Sequence, residues 1–395
     1  MNQELMNDDL MILMHEGDEY EKYLGAVVPP IFMNSLHVFP SFEAYSKANV
    51  FKEDNYIYGR DSNPTTHIVE RKIARLEHGS RALVFSSGMA ATTSAIMATC
   101  KSGSHIICMR DVYQPVKRFL NNICVLRLNM DVTYSTCQDL DEFESLIRPN
   151  TSLIILESPA TFVFSVVDLR EIAKIAKRHG VTTFIDNTYC TPLFQKPLDF
   201  GIDISMHTLS KYLGGHSDLI GGALVSKDED LMRKIMSQTR EWFGGIMGPA
   251  EAWLVMRGMR TLPVRLKEHE KNATAVAQFL EANPKVKRVN YTGLKSHPQR
   301  AIIERQQTGH SGLMSFELNA PAEKAVELIN HLHIFKIGCS WGGFESLALT
   351  PLYNCSYEEL KFLHMTGSRG LIRLHCGLEG YKNQIRDLEQ ALNQI

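Results

Sequence analysis

The 395-residue sequence has no apolar run near the roughly 20 residues that a membrane-crossing helix needs, no block of Lys or Arg, and no Cys-x-x-Cys pair. The first absence argues against a membrane partner. The second, with 42 Lys+Arg against 44 Asp+Glu and a formal net charge of −2, argues against nucleic acid, whose phosphates need a concentrated basic face. The third leaves eight scattered cysteines, at 100, 108, 124, 137, 190, 339, 355 and 376. That spacing suits buried free thiols in a reducing cytoplasm rather than a disulfide framework or a zinc site. Fifteen histidines show no His-Glu-x-x-His or other ligand spacing, so no metal is expected. Neither Gly-x-Gly-x-x-Gly nor Gly-x-x-x-x-Gly-Lys-[Ser/Thr] occurs, which removes the main support for a dinucleotide or nucleoside triphosphate ligand. The start of the chain, MNQELMNDDLMILMHEGDEYEKY, is acidic where a secretory signal is basic, and the expected location is cytoplasmic.

What is present is a composition near the globular average, 44% hydrophobic and 22% charged, enough for a large core. The length suits about two to four domains. Residues 1–60, with Pro29-Pro30 and several aromatics, carry little helical or strand periodicity. Such an arm either packs on a neighbouring subunit or hangs loose. From Arg81 to Ser226, short apolar runs alternate with helical stretches. Ala82–Phe85, His105–Met109, Ser152–Leu156, Thr182–Ile185, Ile204–Thr208 and Ala223–Val225 are expected strands, and Leu169, Ile172, Ala173, Ile175 and Ala176 share one helical face. This alternation predicts an α/β layer with a mostly parallel sheet. Near 249–261 the pattern turns to long helices and then to mixed α+β, so a second, smaller domain is expected from about residue 256.

Open parallel sheets bind ligands beyond the carboxyl ends of their strands, where several informative residues fall. Ser86-Ser87-Gly88-Met89 follows a strand and opens the helix 90–99; glycine allows close backbone approach and the free N–H groups suit a phosphate. An ordinary strand-to-helix turn would look the same. One helix N-terminus contributes only about 0.3–2 kcal/mol towards an anion, whereas micromolar retention needs about 8 kcal/mol, so other donors are required. Tyr58-Gly59-Arg60 offers a phenol and a bidentate guanidinium. Thr208 and Ser210 bracket the approach to Lys211 in HTLSKYLGGHSD at 207–218. A lysine among small hydroxyls at a strand end is open to desolvation, which lowers its pKa and makes it a nucleophile for a Schiff base. The run Thr182–Ile185 ends in Asp186, either a turn or cap residue or a carboxylate for the protonated nitrogen of a pyridine ring.

A strand-end Asp, a Lys about 25 residues on and a Gly-initiated helix together suggest pyridoxal 5′-phosphate (PLP). From about Tyr56 to the C-terminus the chain resembles the Cys/Met-metabolism PLP-dependent enzymes, the cystathionine γ-synthase-like group of fold type I. The motifs are Tyr58-Gly59-Arg60, SSGMAA at 86–91, Tyr113, Glu157-Ser158-Pro159, IDNTYCTP at 185–192, SKYLGGHSD at 210–218 and SWGGFESL at 340–347. The resemblance implies a mostly parallel central sheet with helices on both faces and a smaller α+β C-terminal domain. It divides the chain into an arm at 1–60 that contacts a neighbouring subunit, a PLP-binding domain at 61–255 and a C-terminal domain at 256–395. It implies that Lys211 carries the cofactor, Asp186 pairs with the ring nitrogen and Tyr113 stacks on the ring. The backbone at Gly88 and Met89, with Thr208 and Ser210, would hold the phosphate, joined by Tyr58 and Arg60 from the neighbouring subunit. Ser340 and Arg373 would bind the substrate carboxylate. Lys211 and Tyr113 would be the catalytic pair, in a homotetramer built as a dimer of dimers.

Within the group, SWGGFESL, LIRLHCGLE at 371–379, ESPATF at 157–162, TGHSGLMSF at 308–316 and Asp111-Val112-Tyr113-Gln114-Pro115 are most similar to bacterial cystathionine β-lyases. Gln114 stands where γ-acting relatives usually have Gly, and Cys339 where cystathionine γ-lyases usually have an acid. Arg60-Asp61-Ser62-Asn63-Pro64-Thr65 is closer to the γ-acting enzymes, and the usual Asn-Pro after Ser-Pro is Thr161-Phe162. The expected activity is β-elimination of cystathionine or a related cysteine S-conjugate to a thiol, pyruvate and ammonia, with γ-elimination or γ-replacement as the alternative. A catalytically silent relative would have lost Lys211 or Asp186, and both are present.

Overall fold

The structure is a computed structural model, and it describes residues 8–50 and 55–395. A seven-stranded sheet is formed by β1 (Arg81–Phe85), β2 (His105–Met109), β3 (Asp131–Ser135), β4 (Thr151–Glu157), β5 (Thr182–Asp186), β6 (Ile204–Thr208) and β7 (Gly222–Ser226). Their order is β1-β7-β6-β5-β4-β2-β3. Only β7 runs antiparallel to its neighbours, β1 and β6; the other pairings are parallel. The two faces of β1 show why short apolar runs suffice. Leu83 and Phe85 join a core with Ala91 and Ala95 of the helix Gly88–Thr99. Ala82 and Val84 point the other way, into a core with Ile68, Val69 and Ile73 of the helix Pro64–Leu76. A strand buried on both faces has no polar side to alternate with. This is an α/β fold with helices on both sheet faces.

One strand was not anticipated. β3 reads DVTYS, half-exposed over most of its length and paired only with β2. An edge strand of mixed polarity lacks the apolar run that marks the buried strands.

The helices Pro249–Arg260 and Leu262–Glu281 lead to a five-stranded sheet of β8 (Val286–Asn290), β9 (Leu313–Leu318), β10 (Lys336–Ile337), β11 (Leu347–Leu349) and β12 (Leu371–His375). Its order is β10-β11-β12-β9-β8, antiparallel except for β10 with β11. The inner side of this sheet packs on Ala273, Val276 and Leu280 of the long helix and on Leu388 and Leu392 of the last helix.

The arm corrects the expectation of an irregular start, so far as it lies within the described residues; 1–7 and 51–54 lie outside them. Asp8 caps the helix Asp9–His15 by accepting from Leu10 and Met11 N–H. Ile12 and Leu13 are buried against the helix Pro64–Leu76, and the buried Lys72 Nζ donates to the carbonyls of both at 3.0 Å. A second helix spans Phe42–Val50. Two turns of helix are too short to show a period in the sequence. Between these helices Leu24, Val27 and Val38 are exposed. No helix among the described residues is long and apolar enough to cross a membrane.

The cysteines are free. Six are buried, whereas Cys339 is exposed and Cys355 lies between, so the expectation of buried thiols holds for most but not all.

Leu13→Ala is expected to destabilise the protein by about 2–5 kcal/mol, read as a lower denaturant midpoint at unchanged slope. An unchanged midpoint would mean that the first helix does not contribute to the fold.

Candidate active site

Four neighbouring strands deliver side chains to one carboxyl edge. β4 ends in Glu157 and β5 in Asp186, and the two are direct partners in the parallel register. β6 ends in Thr208, three residues before Lys211, and Tyr113 follows β2. The order of the sheet brings together residues that are far apart in the chain.

At the helix that begins at Gly88, the Ser87 hydroxyl accepts from Ala90 N–H at 3.1 Å, and the Ser87 carbonyl takes Ala91 N–H. Helix geometry leaves the Gly88 and Met89 N–H groups for a ligand. A Cβ on Gly88 would lie 2.3 Å from Thr208 Oγ1, so the glycine is what lets the strand-end hydroxyl sit against the helix N-terminus. Ser210 is beside them, its hydroxyl accepting from Gly221 N–H at 3.1 Å. This set of N–H and O–H donors suits a phosphate.

Asp186 Oδ1 accepts from Thr188 N–H at 2.9 Å and from the Thr188 hydroxyl at 2.5 Å. That hydroxyl in turn accepts from Thr208 N–H at 2.8 Å. Burial raises the Asp186 carboxyl above the usual carboxylate range, against the bonds from Thr188 and the charge of Lys211. Glu157 is raised as well, by burial first and then by Asp186. Its carboxylate accepts from Tyr113 N–H at 2.7 Å and from the Thr161 hydroxyl. Two neighbouring buried acids favour a cation, and the protonated nitrogen of a pyridine ring is one.

Lys211 Nζ donates to Ser340 Oγ at 2.7 Å and lies 5.3 Å from the centre of the Trp341 ring. Burial, with Arg373 next, lowers its ammonium to about 8, which raises the share of free amine near neutral pH. The loop carrying Ser340 approaches closely because Gly342, at φ +86°, puts no side chain against the Tyr212 amide. Arg373, on β12, is nearly buried and donates to the Ser340 carbonyl at 3.2 Å. Tyr113 is half-exposed; burial, then Cys339, raises its phenol. Gly88 thus meets Thr208, Thr188 links Thr208 to Asp186, and Ser340 links Lys211 to Arg373, with Tyr113 in electrostatic reach of Asp186 and Arg373.

Tyr58 and Arg60 stand apart. The Arg60 guanidinium lies 5.1 Å from the Tyr58 ring centre and 3.9 Å from Glu241, and both side chains are more than two-fifths exposed. Sequence reasoning assigned no role to Glu157, Thr188 or the buried His207. Glu157 had a visible signal, since TSLIILE ends in an acid as TTFID does. Thr188 and His207 had none, because their partners are set by strand pairing.

Donors for a phosphate, a buried carboxylate for a ring nitrogen and a desolvated lysine suit PLP, and the sheet is that of the fold type I enzymes that use it. The model of the Cys/Met metabolism PLP-dependent enzymes matches residues 11–393, and the chain belongs to this family. It is 35% identical to an L-methionine gamma-lyase of Porphyromonas gingivalis, over 100% of this chain and 99% of that protein. It is 34% identical to a cystathionine beta-lyase of Coxiella burnetii, over 96% of each. The crystal structure of metB from Corynebacterium glutamicum superposes with a TM-score of 0.92 at 29% identity, covering 98% of each chain.

Gly88→Ala is expected to weaken PLP binding at least tenfold, about 1.4 kcal/mol, in a titration of apoenzyme followed by absorbance. Wild-type affinity in this variant would show that the helix N-terminus and Thr208 do not share a ligand.

Proposed function

We propose that this chain is a PLP-dependent carbon–sulfur lyase that acts by β-elimination on cystathionine or a related cysteine S-conjugate. Cystathionine and water would yield homocysteine, pyruvate and ammonia. The observation that carries the reading is the Lys211 amine, desolvated and held 2.7 Å from Ser340 while Arg373 donates to the Ser340 carbonyl. An amino-acid carboxylate bound at Ser340 and Arg373 sets its Cα within reach of that amine.

The Gly88 and Met89 N–H groups, Thr208 and Ser210 would hold the phosphate, Asp186 the ring nitrogen and Tyr113 the ring face, with Lys211 as the covalent attachment. Bound there, the cofactor supplies an electron sink for the Cα carbanion. Lys211 is the base that takes the Cα proton, and its depressed pKa matches that task. Arg373, planar and bidentate, orients the carboxylate so that the breaking bonds align with the ring. Lys211 or Tyr113 returns a proton to the leaving sulfur. Cys339, where cystathionine γ-lyases usually have an acid, supports a pocket without a carboxylate at that point.

The γ reading has its own support in the resemblance to methionine gamma-lyase and in Arg60-Asp61-Ser62-Asn63-Pro64-Thr65, which is closer to the γ-acting enzymes. For assembly we propose a homotetramer as a dimer of dimers, in which the outward Tyr58 and Arg60 complete a neighbour's phosphate site. The exposed Leu24, Val27, Val38 and Phe42 give the arm an apolar surface for that contact. A cytoplasmic location suits the free cysteines.

Incubation with cystathionine, cysteine, homocysteine and methionine should give pyruvate, most rapidly from cystathionine. Formation of 2-oxobutanoate from methionine or homocysteine as the main product would replace the β reading by the γ reading. Lys211→Ala should abolish both turnover and the visible absorbance of the bound cofactor; retention of both would remove Lys211 from the mechanism. Arg373→Ala should raise KM by about tenfold or more, since hydrogen bonds to charged groups contribute about 1.5–3 kcal/mol. Unchanged KM would place the carboxylate elsewhere.

A further inference from the structure

β12 is buried along its whole length, yet its two faces differ in chemistry. Ile372 and Leu374 join the core of the small sheet. Arg373 and His375, two residues apart, share the opposite face, and both reach the loop that carries Ser340. Arg373 donates to the carbonyls of Gly338 at 3.5 Å and Ser340 at 3.2 Å. His375, 1% exposed, sets its Nε2 3.1 Å from the Gly342 nitrogen and 3.1 Å from the Gly343 carbonyl oxygen. The proposed reaction gives His375 no task.

The His375 imidazole is neutral. Burial first, and then His269 of the long helix, hold it well below the ordinary histidine value, with Arg373 and Lys211 acting in the same sense. A neutral ring suits the contact in either tautomer. Without a proton Nε2 accepts from Gly342 N–H, and with one it donates to the Gly343 carbonyl. Nδ1 is buried without a hydrogen bond among the described residues, so the loop is where the polar capacity of this side chain is used. The ring also packs edge-on to Tyr212, with centroids 5.8 Å apart, and beside His269 at 5.1 Å. A phenylalanine would pack there with no polar atom left over, but it could not bond the loop.

Between the two grips of β12 lie the residues that cover the reacting amine. Ser340 Oγ accepts from Lys211 Nζ, and the Trp341 ring centre is 5.3 Å from that nitrogen. Gly342 itself abuts the backbone of Lys211, where a Cβ would lie 3.0 Å from the Lys211 Cα. Arg373 is also the proposed partner of the substrate carboxylate, so its hold on the loop is shared with the ligand. His375 is sealed beneath the loop and is not shared. We infer that His375 is a positioning residue for Lys211: its hydrogen bond to the Gly342–Gly343 backbone holds Ser340 and Trp341 over the amine and keeps water from it. The inference rests on the reading of Lys211 as the reacting amine. Burial is the largest cause of the lowered Lys211 ammonium, so a loosened loop returns water to the amine and raises it.

The test reads that amine directly. Full-length protein freed of PLP is acylated with a small amine reagent across a pH series, and modification of the Lys211 peptide is followed by mass spectrometry. In wild type the midpoint should fall at about 8. His375→Leu keeps apolar bulk but cannot bond the loop. Its midpoint should rise by at least about one unit, a tenfold fall in free amine near neutral pH. His375→Gln keeps a donor and an acceptor and should stay close to wild type. An unmoved midpoint in His375→Leu overturns the inference. So does a midpoint that moves as far in His375→Gln, because shape and not hydrogen bonding would then be at work. If His375→Leu does not fold, His375→Phe is read in its place; failure of both to fold makes His375 a stability residue and also overturns the inference. Lys211→Ala separates the two levels. Turnover retained in that variant refutes the reading of Lys211 itself. Turnover lost there, beside an unmoved midpoint in the His375 variants, refutes the positioning role alone.

Discussion

Parallel pairing of β4 and β5 sets Glu157 directly beside Asp186 at the buried edge of the sheet, and two carboxylates out of water repel each other while lacking solvation. Much of the surrounding structure answers that conflict. Thr188 gives Asp186 two hydrogen bonds and is itself held by the Thr208 amide. Tyr113 N–H and Thr161 attend to Glu157. Lys211 brings positive charge. A cation placed among these groups would relieve the repulsion that the paired acids create.

The same edge explains how the two sheets work together. Lys211 belongs to the loop after β6, but its hydrogen-bond partner, Ser340, precedes β11, and Arg373 comes from β12. The large sheet carries Asp186, Thr208 and the approach to Lys211; the small sheet carries Arg373, and its strand β11 follows the loop of Ser340. The glycine at 342 lets the two backbones meet closely enough for one serine to touch the reactive amine. Because Ser340 serves both Lys211 and, through its carbonyl, Arg373, movement of either sheet against the other would disturb amine and guanidinium together.

Much of this was legible in the chain. The strands that carry Asp186 and Thr208 are short and largely buried, with Phe184, Ile185, Ile204 and Met206 at their centres, and the helix after Ser87 opens on glycine. Signals of that kind are local, because burial on both faces of a strand imposes itself on every residue of the run. The arm was less legible, since the helix Asp9–His15 owes its place to Ile12 and Leu13 meeting a helix some 55 residues later. β3 was hidden by its position at the edge. The roles of Thr188 and His207 were invisible for a different reason: a threonine after an acid and a histidine in an apolar strand are unremarkable until register brings them to Asp186 and Glu77. Long-range pairing, not composition, gives such residues their chemistry.

The distribution of the cysteines has a consequence for durability. Burial lifts the thiols of Cys100 to about 11 and of Cys124 to about 12, and raises that of Cys190 well above the ordinary thiol range. Thiolate is the form that exchanges with disulfides and reacts with oxidants, so these side chains are insulated from both. A protein that handles sulfur compounds can thereby carry many sulfur atoms of its own as inert packing, while Cys339, the exposed one, is the thiol that small sulfur molecules in the surrounding solution can meet. The interior keeps its chemistry silent so that the cleft alone does the reacting.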